Sequence, residues 1–142
     1  DKNSLYCNLL QCDHFGETCV AAERATDGAI VGWISGYLMP DDPKTLFVWQ
    51  VAVDENVQGQ GIAKRMLAVL LARKACAAVR RLKTTITSEN AASWALFRSL
   101  ARSRGAGFES TPYFCKDAHF GGAHATEHMV TITLAEEALS AA

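Results

Sequence analysis

The chain has 142 residues, of which 49% are hydrophobic, and a formal net charge of −1 at pH 7. This length and composition suffice to bury one hydrophobic core, so we predict a single domain over residues 1–142. The near-neutral charge does not favour a nucleic-acid partner. No apolar run approaches the roughly 20 residues that a membrane-spanning helix needs. We therefore expect a small-molecule partner, with neither nucleic acid nor membrane.

Hydrophobic periodicity and turn residues predict the elements in chain order. The predicted elements are a helix from Asn3 or Ser4, strands at 18–23, 29–38 and 46–54, a helix at 61–79, a strand at 82–87, a helix at 90–104, an extended segment at 108–115 and a strand at 128–134. A hairpin turn is predicted at 26–28 and a break at 40–43, where two prolines occur. Three antiparallel strands followed by a β-α-β-α-β run predict an α+β fold.

The most informative segment is FVWQVAVDENVQGQGIA, from Phe47 to Ala63. It predicts a strand that runs into a glycine turn and then a helix, which is a phosphate-binding arrangement. Gly59 and Gly61 allow the backbone to approach a ligand, and the positive end of the helix dipole lies behind them. The segment has neither the Gly-Lys-Ser/Thr ending of a Walker loop nor the three glycines of a dinucleotide fingerprint. An ordinary strand-to-helix turn is the alternative.

Gln58-Gly59-Gln60-Gly61-Ile62-Ala63 resembles the Q/R-x-x-G-x-G/A signature of the GCN5-related N-acetyltransferases, the GNAT superfamily, which hold the pyrophosphate of acetyl-CoA with it. A second match lies at the next strand-to-helix junction, at Asn90, Ser93 and Phe97. There, the alternative is that Asn90 only caps its helix. The resemblance implies a GNAT fold, with a mixed, mostly antiparallel sheet flanked by helices, and acetyl-CoA as cosubstrate. The cofactor contacts that it implies are Val51, Val53, Gln58, Gly59, Gln60, Gly61, Ile62, Ala63, Lys64, Asn90, Ser93 and Phe97.

Six blocks of sequence resemble a narrower family, the L-2,4-diaminobutyrate acetyltransferases of ectoine synthesis. These blocks are at 1–6, 32–37, 47–53, 84–87, 90–97 and 121–124, and Lys83 and Ser88 depart from the family pattern. The resemblance implies acetylation of the 4-amine of L-2,4-diaminobutyrate by a cytoplasmic homodimer. Because the chain starts at Asp1, we expect a domain that lacks the first strand and helix of the superfamily.

The acceptor amine raises a proton-transfer problem. Only a neutral amine can attack a thioester, and an alkyl amine with a pKa of about 10.4 is almost wholly ammonium at pH 7. Many superfamily members carry a Glu on the strand before the turn, but residues 47–53 contain no acid. The family resemblance supplies other candidates, with Glu127, Asp1 and Trp49 as catalytic residues. The implied substrate contacts are Asp1, Ser4, Tyr6, Trp49, Asn90, His124 and Glu127.

Each of these candidates has a structural alternative. Asp1 could cap the first helix, Trp49 could belong to the core, and His124 could be a solvated loop residue. The thiolate of coenzyme A raises a further question, because Phe97 stands where many relatives have a proton-donating Tyr. Ser93, Tyr113 or water could protonate the sulfur, or no acid is needed, since a thiol has a pKa near 8.5. We expect a backbone N–H near Val51 to stabilise the oxyanion.

The five cysteines form no C-x-x-C pair, which favours free, buried thiols in a reducing cytosol. Cys115, His119, His124 and His128 include ligand types that zinc accepts, but their spacing matches no zinc motif. We therefore expect no metal. Two other functions stay open: an acetyltransferase for a different small amine, and a non-catalytic acetyl-CoA-binding or regulatory domain.

Overall fold

The computed structural model describes residues 4–134. The chain divides into two compact units, Asp1–Val79 and Arg80–Ala142. The first unit contains α1 (Leu5–His14), β1 (Val20–Glu23), β2 (Ile30–Met39), β3 (Asp42–Val53) and α2 (Ile62–Ala72). The second unit contains β4 (Arg81–Thr87), α3 (Ala91–Ser103), β5 (Gly107–Phe114) and β6 (Glu127–Thr133). These strands and helices confirm the predicted α+β class.

The first unit is built on an antiparallel meander of β1, β2 and β3. Val20 pairs with Ile34, which in turn pairs with Val51. The predicted turn at 26–28 is confirmed, and the backbone N–H of Arg24 donates to the carbonyl oxygen of Ala29 at 2.8 Å to close it. The meander therefore leads the chain directly to the carboxyl end of β3, where the glycine turn begins.

The core of the first unit lies under one face of α2. Met66, Leu67 and Leu70 are buried at helical spacing and share this core with buried residues of β2 and β3, such as Ile34 and Leu46. Each fully buried Leu or Ile contributes about 2 kcal/mol to folding through the hydrophobic effect. Packing of this face fixes the direction of α2, and hence of its amino terminus.

The second unit is an antiparallel sheet in which β6 lies between β4 and β5. Every second residue of β4 is buried, namely Leu82, Thr84 and Ile86, as expected for a strand with one covered face. Helix α3 buries Phe97, Leu100 and Ala101. The predicted strands at 82–87, 108–115 and 128–134 and the helix at 90–104 are confirmed to within one or two residues.

Three predicted boundaries are wrong. The second helix ends at Ala72 instead of residue 79, because Arg73 turns to an extended conformation and a short 3₁₀ turn, Lys74–Cys76, follows. The predicted break at 40–43 is shorter than expected, since only residues 40 and 41 turn and β3 begins at Asp42 instead of residue 46. The first strand begins at Val20 because Gly16–Thr18 forms a 3₁₀ turn.

Within residues 4–134, no helix is long and apolar enough to span a bilayer.

Candidate active site

An exposed turn built around two glycines connects β3 to α2. Gly59 has a φ of 83° and Gly61 a φ of 72°, in the left-handed region that residues with a side chain rarely adopt. A Cβ added at either glycine would meet no atom within 4 Å. Glycine is therefore required here by backbone conformation and not by internal crowding. The space beside the turn is open to a ligand, which fits the predicted pyrophosphate of acetyl-CoA.

The amino terminus of α2 completes this anion site. Gly61 is the N-cap residue and has no side chain with which to cap the helix. Among the described residues of α2, none in the first turn is acidic. The first amides of the helix and its positive dipole end therefore favour an anion. The end of β3, the turn and this first helical turn hold all predicted cofactor residues of the first unit: Val51, Val53, Gln58, Gly59, Gln60, Gly61, Ile62, Ala63 and Lys64.

Trp49 occupies a β-bulge in β3. Gln50 pairs with Ser35 and Val48 pairs with Gly36, so Trp49 between them has no partner on β2. A bulge bends its strand and redirects the side chain of the extra residue. The side chain of Trp49 is 46% exposed, which excludes the core position considered for it. Its apolar face is thus available to a ligand, as the substrate prediction requires.

The predicted substrate contacts Ser4 and Tyr6 lie at the start of α1. Ser4 is the N-cap residue, and its Oγ accepts a hydrogen bond from the backbone N–H of Cys7 at 3.0 Å. Tyr6 is largely exposed on the helix surface. Asp1 lies outside the described residues, so its predicted role stays a prediction. Among the described residues, Ser4 caps the first helix.

Helix α3 begins with the predicted Asn90. Its Oδ1 accepts a hydrogen bond from the backbone N–H of Ser93 at 3.2 Å, which makes Asn90 the N-cap residue. Asn90 is exposed, so its amide nitrogen can still reach a ligand. Phe97 is only 1% exposed and packs in the core. Phe97 therefore contributes to packing of α3, and its predicted contact with the coenzyme stays untested.

A histidine and a glutamate lie together at the start of β6. Glu127 Oε1 is 3.8 Å from Nε2 of His124, an ion pair whenever the imidazole is protonated. The other oxygen, Oε2 of Glu127, is buried and has no hydrogen-bond partner among the described residues. An unpaired buried carboxylate oxygen is costly, and a ligand ammonium group would satisfy it. His124 is therefore more than a solvated loop residue, since it contacts the predicted carboxylate.

Sequence reasoning missed the organisation of the segment that carries His124. Residues 115–126 fold into a compact loop, in which the backbone N–H of Gly122 donates to Lys116 O at 2.8 Å and that of Lys116 donates to Thr126 Oγ1 at 3.0 Å. Gly121 and Gly122 have φ values of 56° and 82°, so adjacent glycines were the available signal for a tight turn. The loop also brings the ring of Phe120 onto His124, a contact that the sequence did not indicate.

A cavity of about 390 Å³ lies in the first unit beside β1 and α2. Its lining includes Gln60 and Ile62 of the predicted cofactor residues, together with Val20, Arg24 and Arg65. Trp49, Val51 and Val53 do not line it. The cavity therefore adjoins the glycine turn without including the predicted contacts on β3.

No group of three or more His, Cys, Asp or Glu side chains within residues 4–134 is placed to hold a metal ion. His119 accepts a hydrogen bond at Nδ1 from the backbone N–H of Cys115 at 2.7 Å, which occupies that nitrogen. His124 faces Glu127 instead of the other candidate ligands.

Comparison with known proteins defines the class of this site. Residues 3–101 match the model of the acetyltransferase (GNAT) family. The chain is 50% identical to the L-2,4-diaminobutyric acid acetyltransferase of Methylotuvimicrobium alcaliphilum, with 93% of this chain and 76% of that protein covered. It is 46% identical to the protein of the same name from Vibrio parahaemolyticus, with 94% and 73% covered.

Among solved structures, the chain is similar to the diaminobutyrate acetyltransferase EctA from Paenibacillus lautus, in complex with L-2,4-diaminobutyric acid and coenzyme A. The TM-score is 0.87 at 41% identity, with 94% of this chain and 80% of that chain covered. The predicted GNAT fold is thereby confirmed. The chain belongs to the GNAT acetyltransferases and, within them, to the L-2,4-diaminobutyric acid acetyltransferase family.

Proposed function

We propose that the protein transfers the acetyl group of acetyl-CoA to the 4-amine of L-2,4-diaminobutyrate. The product is N4-acetyl-L-2,4-diaminobutyrate, the compound from which ring closure gives the osmoprotectant ectoine. The observation that carries this proposal is membership of the diaminobutyric acid acetyltransferase family. The glycine turn before α2 supports it independently, because its geometry is that of an anion site.

The first unit supplies the coenzyme contacts in this proposal. Backbone N–H groups between Gln58 and Lys64 bind the diphosphate of acetyl-CoA, with the dipole of α2 behind them. Val51 and Val53 on β3 flank the thioester arm. A backbone N–H near Val51 donates to the oxygen of the thioester carbonyl as that oxygen becomes negative. The open space at Gly59 and Gly61 supports close approach of the diphosphate.

In this proposal, Glu127 of the second unit supplies the carboxylate that binds the amine of diaminobutyrate. Removing the proton of a side-chain ammonium at pH 7 costs roughly 4.6 kcal/mol for a pKa of about 10.4. Glu127 binds the ammonium through its unpaired Oε2 and, with His124 beside it, accepts the proton. The neutral nitrogen then attacks the carbonyl carbon and a C–N bond forms. As the C–S bond breaks, the coenzyme leaves as a thiolate, and the nitrogen loses its second proton to water, from which the thiolate can be protonated. Asp1, Ser4, Tyr6, Trp49 and Asn90 are the further proposed contacts of the diaminobutyrate.

The thiolate needs no strong acid in this scheme, because a thiol pKa near 8.5 makes it a tolerable leaving group. Phe97 cannot donate a proton and is buried. Ser93, Tyr113 and water remain the candidate donors, and the exposed Tyr113 is accessible to solvent.

The experiment that tests the function is a thiol-release assay with acetyl-CoA and a panel of amines, run across pH. The panel contains diaminobutyrate, ornithine, lysine and spermidine, and NMR of the product identifies the acetylated nitrogen. We expect diaminobutyrate to give the highest kcat/KM, with acetyl on N4. Acetylation of the α-amine would contradict the proposed regiochemistry. A preference for spermidine or lysine would indicate another small-amine acetyltransferase, and coenzyme binding without any transfer would indicate a non-catalytic domain.

We further propose that the protein acts in the cytoplasm as a homodimer during osmotic stress. Five free cysteines within the described residues support a reducing compartment. Leu5 and Leu9 of α1 are exposed apolar side chains, which supports burial of that surface in a dimer. Sedimentation velocity of the purified protein tests the dimer, and a monomer at micromolar concentration would contradict it.

A further inference from the structure

His124 is held from two sides within the second unit. The centroid of its ring lies 4.6 Å from that of Phe120, with 42° between the ring planes. Its Nδ1 lies 2.6 Å from the carbonyl oxygen of Ala125. A carbonyl oxygen only accepts hydrogen bonds, so this contact requires the proton on Nδ1. The other ring nitrogen, Nε2, faces Glu127 at 3.8 Å.

The tautomer of His124 with its proton on Nδ1 determines whether the His124–Glu127 pair can accept a further proton. With its proton on Nδ1, the neutral imidazole presents a lone pair at Nε2, and an ionised carboxylate also presents only lone pairs. Two acceptors that face each other repel, whereas one added proton satisfies both. The pair is therefore arranged to take up one proton, which is what deprotonation of an ammonium group delivers.

We propose that Phe120 is a positioning residue, whose ring holds the imidazole of His124 so that Nε2 points at Glu127. The loop fixes Phe120 in turn. Its backbone N–H donates to Cys115 O at 3.3 Å, and its carbonyl oxygen accepts from the N–H of Ala123 at 2.9 Å. The Phe114 ring of β5 contacts the Phe120 ring edge to face, at 6.5 Å between centroids. Without the Phe120 ring, the imidazole could rotate and lose the tautomer that accepts a proton.

The charged and titratable groups around the pair are few. On the neighbouring strands, Glu127 lies opposite Thr87 of β4 and Phe114 of β5, and neither titrates near neutral pH. On the loop itself, the titratable side chains besides His124 are Cys115, Lys116, Asp117 and His119. His128 follows Glu127 on β6, and its Nδ1 is buried without a hydrogen-bond partner among the described residues. His119 is the other imidazole of the loop.

The orientation can be tested without any enzyme assay. The ¹⁵N NMR spectrum of the histidine-labelled full chain reports the tautomer of each imidazole. The signals that disappear in His124→Gln are those of His124. At a pH where the ring is neutral, we expect its proton on Nδ1 in the unaltered protein and in Phe120→Tyr. In Phe120→Leu we expect a mixture of tautomers. A proton on Nε2 in the unaltered protein, or an unchanged tautomer in Phe120→Leu, would overturn the proposal.

The kinetic consequence rests on the proposed function. We expect Phe120→Leu to lower kcat/KM for diaminobutyrate by about tenfold to a hundredfold, and to shift its pH profile, with unchanged affinity for acetyl-CoA. Phe120→Tyr should restore both the rate and the profile. Phe108→Leu is the matched control, because Phe108 lies on β5 against Trp94 and Arg98 and should leave the His124 tautomer unchanged.

NMR and kinetics together distinguish a failure of the Phe120 proposal from a failure of the proposed function. If the unaltered protein acetylates no amine, the proposed function fails, while NMR still decides the orientation of His124. If Phe120→Leu does not fold, Phe120→Met, which fills similar space without a ring, replaces it in the tautomer measurement, and an unchanged tautomer there would equally overturn the proposal. An unchanged pH profile in a folded Phe120→Leu protein that has lost its fixed tautomer would overturn the kinetic role.

Discussion

The backbone N–H of Ser93 donates a hydrogen bond to Oδ1 of Asn90 at 3.2 Å, so the predicted coenzyme-binding side chain also caps α3. The carbonyl oxygen of the amide makes the cap, which leaves the NH₂ group available to a ligand. The two roles of Asn90 therefore use different atoms and can be separated by substitution.

Asn90→Asp should keep the cap, because a carboxylate oxygen accepts the Ser93 N–H equally well, whereas Asn90→Ala should lose about 1 kcal/mol of stability. If the NH₂ group donates to the coenzyme, Asn90→Asp should weaken acetyl-CoA binding about tenfold. Urea unfolding and titration calorimetry measure the two effects. Full coenzyme affinity in a stable Asn90→Asp protein would mean that Asn90 only caps its helix.

Gly61→Val should weaken acetyl-CoA binding strongly, because the side chain would stand in the open space beside the anion-binding turn. The positive φ of Gly61 adds strain of about 1–2 kcal/mol for any residue with a Cβ. Gly105→Val is the matched control. Gly105 also has a positive φ, 60°, with no atom within 4 Å of an added Cβ, but it follows the end of α3.

Both variants should therefore lose similar stability in thermal melts. Only Gly61→Val should lose coenzyme affinity, by at least a hundredfold in calorimetry, since the diphosphate could no longer approach the amides. Equal loss of affinity in Gly105→Val would show that strain alone, and not access to the turn, controls binding.

Glu127→Gln should impair acetylation of the diaminobutyrate amine and leave binding of acetyl-CoA unchanged. The amide keeps the shape of the side chain but can neither pair with an ammonium group nor accept its proton. We expect kcat/KM for diaminobutyrate to fall by roughly a hundredfold to ten-thousandfold, as for other general bases. The Kd for acetyl-CoA should be unchanged. Glu109→Gln, at an exposed position on β5, is the control and should change neither quantity. An active Glu127→Gln protein would remove Glu127 from the proton path.

Much of the fold was predictable because local signals agreed with the tertiary structure. The glycines of the turn at 58–61 predict the start of α2, and Asn90 predicts the start of α3. The buried positions of β4 alternate as the sequence suggests. At these places, turn chemistry, capping and hydrophobic pattern all favour the same conformation.

The predicted boundaries are wrong where contacts between residues distant in sequence determine the local conformation. The alanine-rich residues 73–79 favour continuation of α2, but the guanidinium of Arg73 donates to the carbonyl oxygens of Gly16, Glu17 and Cys19. These charge-assisted bonds to a segment more than 50 residues away outweigh a helix propensity of tenths of a kcal/mol per residue. The bulge at Trp49 likewise depends on pairing with β2 and leaves no local signature.

The site was predictable only as a set of residues. Family resemblance predicts Glu127 and His124 as substrate contacts, but their 3.8 Å contact and the ring of Phe120 follow from the fold of residues 115–126. That loop is held by backbone hydrogen bonds and by Thr126, which no periodicity reveals. The orientation of the imidazole, and thus its tautomer, could not be deduced from the sequence.

The cysteines should react in an order that burial determines. Burial raises the pKa of the Cys19 thiol above its usual range, although a hydrogen bond to Gly36 partly opposes this effect. Burial likewise raises the pKa of the Cys76 thiol, whereas Cys12 is exposed. Each unit by which a pKa rises lowers the thiolate fraction about tenfold near neutral pH, and only the thiolate reacts with iodoacetamide.

At pH 7.5, we therefore expect iodoacetamide to modify Cys12 at least about tenfold faster than Cys19 or Cys76. At about pH 9 the two buried thiols should still react slowly, because burial raises their pKa and their thiolates form only at higher pH. Peptide mass spectrometry measures each rate, and Cys12→Ser should remove the fast phase. Addition of urea should expose Cys19 and Cys76 and equalise the rates. Early labelling of Cys19 in the folded protein would contradict its burial.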